Sequence, residues 1–582
     1  MGAILLTFGG VALLAGAATP LFAAFARRIG LVVQPRADRW HAHATPLLGG
    51  AGMAVAILVA SVALLPASPS TIVVVACAAA AFALGLVDDF RRLAPATKLV
   101  GQAVIASMLA AGGVRVEIVP FAPLAYVITV LWVVGIMNAI NLMDNMDGLA
   151  AGIAAIAAAV LAASAWGTAP VTAQLAVITA AAAIGFLVHN FNPARVFMGD
   201  AGSQLLGFML AAAAVAQAGP GATSLGVAVL APLAALALPI FDTTLVTAAR
   251  RLSGTPVSKG GRDHTSHRLA ALGLSDRAVV LVLYAVAGGF GLLAVGAETV
   301  SGLTLPLFVL GVICLVLFGV FLVEIGGRGA KSREVANGRR FQRVLATYGR
   351  FGAEIALDVV LLTTVYYLSH VIRFEGQAQE LWLYLFAGTV PIVVGAQLGA
   401  MVLLGVYRTL WRYLSIQDAA LIIRALSIGS AAAVVILVLG APVVGYSRSA
   451  FVLDWILACA SIVGVRSFMV WLIAVFSAPT RARPEARRVL IAGANETGVL
   501  ALRALGSASG TGYQVVGFID DDPGKRYRRV AGVPVVGTTR ELSTVIERLR
   551  PDLVLSAGED AVPLRMVCEE HGVPWREFSV EV

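Results

Sequence analysis

Long apolar runs separated by short polar loops dominate this chain. Stretches long enough to cross a bilayer, about 17–25 residues each, recur near residues 3–24, 47–66, 70–87, 98–113, 123–143, 149–167, 170–189, 202–218, 223–241, 278–298 and 303–324. A basic, glycine-rich segment follows (Gly326 to Arg340, GGRGAKSREVANGRR), then four more apolar runs near 350–371, 382–405, 420–441 and 451–476. Ser477 to Arg488 is a polar Pro/Arg-rich stretch leading into a tail that ends at Val582. The pattern predicts an all-α polytopic membrane protein, about 11 + 4 transmembrane helices, with a C-terminal cytoplasmic α/β domain. The expected divisions are a membrane domain at 1–325, a linker at 326–345, a four-helix membrane domain at 346–476, a linker at 477–487 and the α/β domain at 488–582.

The loops alternate in charge. One set carries Arg27, Arg28, Arg36 and Arg39, then Arg91, Arg92 and Lys98, then Arg195, then Arg250, Arg251, Lys259, Arg262, Arg268 and Arg277; the other carries Arg115 alone. The excess of Lys and Arg on one side places that side in the cytoplasm. The first run starts at Ala3 without a basic segment before it and is followed by Arg27 and Arg28, so it reads as a retained span with its N-terminus outside. The YRTLWRYLS loop (407–415) and the tail fall inside; Arg373 and Arg448 fall outside, so the second half is less tidy.

Composition agrees. The chain is 59% hydrophobic and 13% charged, against about 45–50% and about 25% in soluble domains. Its net charge of +9 is spread over many loops without a basic stripe, which argues for a membrane surface and against nucleic acid. Cys77, Cys314, Cys459 and Cys568 lie far apart and suggest neither a disulfide framework nor a metal cluster.

The acids of the first part, Asp88, Asp89, Asp144, Asp147, Asp200, Asp242 and Asp263, all map to the cytoplasmic side. Charge at mid-membrane costs about 2.5–3.5 kcal/mol on the insertion scale, so acids at span ends should share a wet cavity. Four groups carry the chemistry. In VDDFRRLAPATK, Asp88 and Asp89 end one span and Lys98 begins the next; adjacent carboxylates invite a divalent cation, and Lys98 offers a point charge to phosphate. In NAINLMDNMDGL, Asn141, Asp144 and Asp147 are three apart and share a helical face. HNFNPARVFMGDAGS (189–203) sets Phe197 and Asp200 among glycines, suited to Mg²⁺ held by few carboxylates plus substrate phosphate. GRDHTSHRL holds His264, His267 and Arg268; the histidines have zinc-compatible spacing, but nothing completes a tetrahedral set, and a His/Arg phosphate clamp is the better reading.

VDDF with its lysine, NLMDNMDGLAG, FNPARVFMGDAGS, PIFDT and GRDHTSHRLAALG closely resemble the polyprenyl-phosphate N-acetylhexosaminyl-1-phosphate transferases over about residues 1–325. The resemblance implies a bundle of ten or eleven helices with a cytoplasmic active site in the bacterial inner membrane, moving a sugar-1-phosphate from a UDP-sugar to undecaprenyl phosphate with Mg²⁺ (Mn²⁺ as an alternative) and releasing UMP to initiate a cell-envelope polysaccharide. It also implies a homo-oligomer, a dimer. By the same resemblance Asp200 would be the principal metal ligand with Asp89 beside the metal, Phe197 would stack on uracil, and Asp88 would act as base or nucleophile. Asp144 and Asp147 would lie near nucleotide and diphosphate, and Lys98, His264, His267 and Arg268 would hold phosphates. Asn141 and Asn190 would contact substrate, and Arg39, His41 and TPLLGG (45–50) match the family's first cytoplasmic loop. Asn145 stands where relatives often have Gly, and DHTSHRL replaces the triple-histidine loop of the MurNAc-pentapeptide enzymes, which favours a UDP-GlcNAc-type donor.

In the tail, RRVLIAGANETG reads as a strand followed by Gly493 and Gly498 at a helix start, with Asn495 in place of the middle glycine, and Asp520 to Asp522 follow after VVGFI. This imperfect fingerprint suits a Rossmann-like fold for NAD or another nucleotide, or one that binds little, with Gly493, Gly498 and Asp520 as contacts. HVIRFEG, GVYRTLWRYLS, SRSAFVLDWIL, VLIAGANETG and VVGFIDDDP resemble the front half of membrane-bound nucleotide-sugar 4,6-dehydratases over about 345–582. Those enzymes continue into a catalytic Tyr-x-x-x-Lys domain; without it, the tail is expected to regulate or dock. A lipid-sugar transporter would put acids at mid-membrane depth, and a scaffold would show decayed metal motifs; neither pattern is present.

Overall fold

The structure, a computed structural model, describes residues 2–34, 44–217, 229–252, 261, 263–296, 304–326, 340–374, 379–408, 415–440, 447–477, 487–507, 513–526, 528–530, 533–558 and 561–578. Ten helices follow the apolar runs of the first region: α1 (Gly2–Arg28), α2 (Gly49–Leu64), α3 (Pro69–Arg91), α4 (Pro95–Ala111), α5 (Ala122–Met143), α6 (Leu149–Ser164), α7 (Pro170–Asn190), α8 (Gly199–Gln217), and later α12 (Asp276–Gly296) and α13 (Thr304–Gly326). Between them lie α9 (Ala231–Ala235), α10 (Ala237–Leu252) and α11 (Thr265–Ala271). Proline opens α3, α4, α5 and α7 within the first two positions, where its missing N–H costs nothing. Ser68 caps α3 by accepting the Thr71 amide at 3.2 Å.

The expected span at 223–241 takes a different form. Its described part is broken at Leu236 between α9 and α10. Pro239 stands four residues after Ala235, where its ring crowds the Ala235 carbonyl and its nitrogen has no proton to give, which favours a break at this point. Among the described residues, eleven helices are long and apolar enough to cross a membrane, and α2, α4 and α6 are shorter apolar helices.

At the centre of the first region stands α8, nine-tenths buried and packed by α2, α3, α5, α6 and α7. Its Gly, Ala and Ser residues let neighbouring backbones come close, the usual way helices pack in lipid. The chain thus places the start of α8, and Asp200 with it, where α3, α4 and α5 converge. The second region adds α14 (Arg340–Phe374), α15 (Gln379–Leu403), α16 (Ile416–Gly440) and α17 (Arg448–Ser477). Because α13 packs on both α14 and α17, residues 1–477 form one compact unit.

The tail forms a second unit, Ala478–Val582. Its strands are β3 (Arg487–Ala492), β4 (Tyr513–Ile519), β5 (Arg529–Val530), β6 (Val533–Gly537), β7 (Leu553–Ser556) and β8 (Trp575–Glu577), after the small β1 (Val32–Val33) and β2 (Thr45–Pro46) pair of the first unit. They run in the order β5-β6-β4-β3-β7-β8, parallel except for β5. With α18 (Glu496–Ser507), α19 (Leu542–Leu549) and α20 (Ala561–Glu570), this is a half-Rossmann arrangement in which the direction of winding reverses between β3 and β7.

Candidate active site

Lys98, at the start of α4, joins the expected groups. Its Nζ lies 2.8 Å from Asp88 Oδ2 and 2.8 Å from Asp200 Oδ1, and it donates to Asn141 Oδ1 at 3.2 Å. Asn141 in turn donates to Asp200 Oδ1 and to Ser203 Oγ. One helical turn deeper, Gln102 hydrogen-bonds to both Asn138 and Gln204, and the three form an amide layer beneath these charges. Sequence reading named the upper layer and missed the lower one, although each member lies three or four residues from a named one.

Two carboxylates are left open. Asp200 keeps a third of its side chain exposed, and its Oδ2 has no partner among the described residues. Asp144, which ends α5, has no hydrogen bond or ion pair to its carboxylate among the described residues. Burial pushes its carboxyl up to about 7, and the charges of Asp200, Asp89 and Asp147 push the same way. No group of three ligating side chains comes together among the described residues. Mg²⁺ does not require one: it takes one or two carboxylates and fills its octahedron with water and substrate phosphate. An unpartnered Asp144 within electrostatic reach of Asp200 fits such an ion.

Several of the expected site residues also have partners within the chain. Asp89, expected beside the metal, accepts the Asp200 amide at 2.8 Å and the Ala201 amide at 3.0 Å, anchoring the N-terminus of α8. Gly199 makes this approach feasible, with φ of 74° and a position where a Cβ would stand 2.6 Å from Asp89 Oδ2. Asp147 accepts the Ala194 amide at 2.9 Å and the Asn192 side chain at 3.3 Å. Asn190, expected at substrate, is buried; it accepts the Gly148 amide at 3.0 Å and donates to the Val196 carbonyl at 2.9 Å. These residues fix the loop that carries Phe197, whose amide donates to the Pro46 carbonyl at 2.9 Å while its carbonyl accepts the Gly49 amide at 3.0 Å. TPLLGG therefore seats directly on the Phe197 loop. Arg39 and His41 lie outside the described residues.

The histidine loop has its own frame. His264 Nδ1 lies 2.8 Å from Asp242 Oδ2, and Asp242 Oδ1 accepts the Thr265 amide at 2.7 Å. His267 stands edge-on to His264 with ring centroids 6.3 Å apart. Arg268, expected to clamp phosphate, donates through Nε to the Asp263 carbonyl at 2.7 Å and through Nη1 to the Leu322 carbonyl at 3.3 Å, tying the loop to α13. The arginine fork in this loop belongs to Arg250, which grips both oxygens of Asp263 at 2.7 Å. Burial works to raise the Asp263 carboxyl, but that fork holds it below the usual carboxylate range. Ser266 donates to Asn145 Oδ1 at 2.7 Å, so the Asn that departs from the family pattern couples this loop to the turn holding Asp144.

In the tail, Gly493 (φ 104°) and Gly498 occupy the turn after β3, and a Cβ on Gly498 would meet the Gly493 carbonyl. Asp520 is buried and accepts the Ala494 amide at 2.9 Å, the Asp522 amide at 2.9 Å and Lys525 Nζ at 2.8 Å. Burial works to raise its carboxyl, but Lys525 and the two amides hold it below the usual range. Asn495 accepts the Gly498 amide at 2.9 Å and donates to the Ala557 carbonyl at 2.9 Å, bridging the loops after β3 and β7.

Fold and site together define a multi-pass membrane protein with a polar, acid-rich end. A family model described as glycosyl transferase family 4 matches residues 71–218, and one described as a CoA-binding domain matches residues 402–557. A Bacillus subtilis protein named "Probable undecaprenyl-phosphate N-acetylglucosaminyl 1-phosphate transferase" is 33% identical over 324 residues, 53% of this chain and 88% of its own. The decaprenyl-phosphate N-acetylglucosaminephosphotransferase of Mycolicibacterium smegmatis is 33% identical over 351 residues, 52% of this chain and 84% of its own. A Streptomyces coelicolor relative is 35% identical over 266 residues, and the chain spans 61% of its length. The chain belongs to glycosyl transferase family 4, and it is an enzyme of the transferase class.

Proposed function

We propose that the first region transfers GlcNAc-1-phosphate, or a close N-acetylhexosamine relative, from a UDP-sugar to a polyprenyl phosphate such as undecaprenyl phosphate. UMP leaves, and the product starts a cell-envelope polysaccharide. The observation that carries this reading is the Lys98 ammonium bridging Asp200 and Asp88, with the unpartnered Asp144 carboxylate within electrostatic reach of Asp200. Such a site can meet a diphosphate through a cation and a phosphate through Lys98. The names of the well-covered relatives and the DHTSHRL loop support a GlcNAc-type donor. The basic residues beside the site support a cytoplasmic orientation.

An oxygen of the lipid phosphate bonds to the β-phosphorus of the UDP-sugar, and the bridging oxygen departs with UMP. Both reactants are anions. Mg²⁺, when bound, would neutralise charge on the diphosphate, with Asp200 and Asp144 the residues to hold it. Lys98 neutralises the incoming phosphate. Both oxygens of Asp88 are engaged, one by Lys98 and one by the Leu93 amide at 2.7 Å. Asp88 therefore holds Lys98 in place, which favours direct attack over a covalent aspartyl intermediate. The His264–Asp242 pair stands by to meet a phosphate, its ring fixed by the buried carboxylate.

The test uses the purified chain with Mg²⁺, undecaprenyl phosphate and a panel of UDP-sugars, following UMP. Release should require lipid and metal and should fall by at least 100-fold in Asp200→Ala and Asp144→Asn, the scale expected when a charge-stabilising group is removed. Folded wild type that is silent with every donor would sink the reading. Enzyme and donor without lipid should give no stoichiometric burst of UMP. For the tail we infer a regulatory or docking role, since Asn495 and Asp520 already take donors and acceptors that a dinucleotide would use.

A further inference from the structure

Among the described residues, the four-helix region α14–α17 contributes no side chain to the site described above, yet it buries two acids in opposite surroundings. Asp358 on α14 is 2% exposed and meets Arg466 Nη2 of α17 at 2.8 Å. Asp454 on α17 is 1% exposed and has no cation among the described residues. Its hydrogen-bond partner is Gln397 of α15, whose Nε2 donates to Asp454 Oδ2 at 2.8 Å and to Ser430 Oγ of α16 at 3.0 Å. The other oxygens of this pair, Asp454 Oδ1 and Gln397 Oε1, are buried and without partners among the described residues. The other described titratable groups of the four helices are Glu354, Asp358, Tyr366, Tyr367, His370 and Arg373 on α14, Tyr384 on α15, Asp418 and Arg424 on α16, and Arg448, Cys459 and Arg466 on α17; of these, the Cys459 thiol feels the charge of Asp454. None bonds to Asp454; Asp358 and Arg466 hold each other, and His370 Nδ1 is 2.9 Å from the Tyr366 carbonyl.

A carboxylate ion buried in a bilayer with one neutral donor is expensive. One added proton removes the charge and supplies the donor that the unpartnered oxygens lack. We propose that Asp454 is a proton-binding site inside the membrane, neutral at physiological pH, its O–H donating to Gln397 Oε1 so that acid and amide close on each other through two hydrogen bonds. Exchanging the two ends of the amide, which look alike to most probes, leaves the conclusion intact. Oε1 would then face Asp454, and a protonated acid would again supply the donor. Asp454 is the seventh residue of the span Arg448–Phe468 (21 residues), about 9 Å along the helix from its end, so this proton lies within the membrane-crossing part of the helix.

The experiment uses the full chain in lipid nanodiscs, treated with dicyclohexylcarbodiimide, which couples to protonated carboxyls in apolar surroundings, followed by peptide mass spectrometry. Asp454 should be labelled at pH 7 and Asp358, ion-paired in the same bundle, should not. In parallel, the infrared spectrum of wild type minus Asp454→Asn should show the carbonyl band of a protonated carboxylic acid. A carboxylate band at that position in the difference spectrum overturns the proposal, whether or not the reagent reaches the site. Protection from labelling by sodium but not by choline also overturns it, since the occupant would then be a metal cation. Asp454→Asn keeps the shape and the amide pairing, so its folding midpoint should match wild type.

Discussion

Asp144 is the residue at which the proposed site costs the fold most visibly. Its carboxyl is raised to about 7 because burial and three neighbouring carboxylates disfavour its charge. A raised acid is less ionised in the folded state than in the unfolded chain, so stability is lost as pH rises from the ordinary carboxylate range through about 7. Asp144→Asn should therefore raise the melting temperature of the metal-free protein at pH 8 and change little near pH 3, while abolishing transfer. Equal melting at both pH values would contradict this. A cation favours the ionised form, so Mg²⁺ affinity should climb with pH and level off above about 7, each bound ion displacing a proton on the acid side. Calorimetry in two buffers of different ionisation enthalpy reads that proton directly; in Asp144→Asn it should vanish. Residue types were legible at this scale because carboxylates, amides and a lysine at span ends have few other uses. Partners were not. Nothing local in the sequence says that Asp89 takes the amides of α8, or that Arg268 takes carbonyls while Arg250 makes the fork.

Elements are placed by close approach. The loop from Asn190 to Gly199 is held by Asp147, Asn190 and TPLLGG, and α8 starts against Asp89. At Gly50 a Cβ would lie 2.4 Å from the Gly202 amide nitrogen, backbone that cannot yield. Gly50→Ala should cost about 1–3 kcal/mol, the usual scale of overpacking, seen as a lower thermal midpoint with reduced activity. Gly199→Ala adds a positive φ and a clash with Asp89, so it should lose transfer even where the protein still folds. An unchanged kcat in that variant would show that Asp89 need not anchor α8. Helix positions were readable within a few residues because span length and apolar composition are local properties. The break at Leu236 was also written in the chain, in Pro239, but a hydropathy window averages across a proline and so reported one continuous span.

At the scale of the molecule, the resemblance to the transferases ends inside a compact unit that runs on to Ser477. By sequence the first domain stops near 325, yet α13 packs on α10, α11 and α12 on one side and on α14 and α17 on the other. The carbonyl of Leu322 on α13 also receives Arg268 from the histidine loop. Removing α14–α17 would bare that face of α13 and loosen the helix against which the loop is tied. A chain ending at Ser477 keeps every contact of the first unit and all the described site residues. It should release UMP within about twofold of the full chain, a difference under half a kcal/mol in barrier. A chain ending at Gly326 should express poorly or lose most activity, with the histidine loop more readily cut by protease. If the shorter chain instead matches the full one, α14–α17 are an independent membrane module, and α13 needs no neighbour beyond α10–α12. If the chain ending at Ser477 is inactive although folded, the tail acts on the reaction itself, and its regulatory reading becomes a requirement for catalysis.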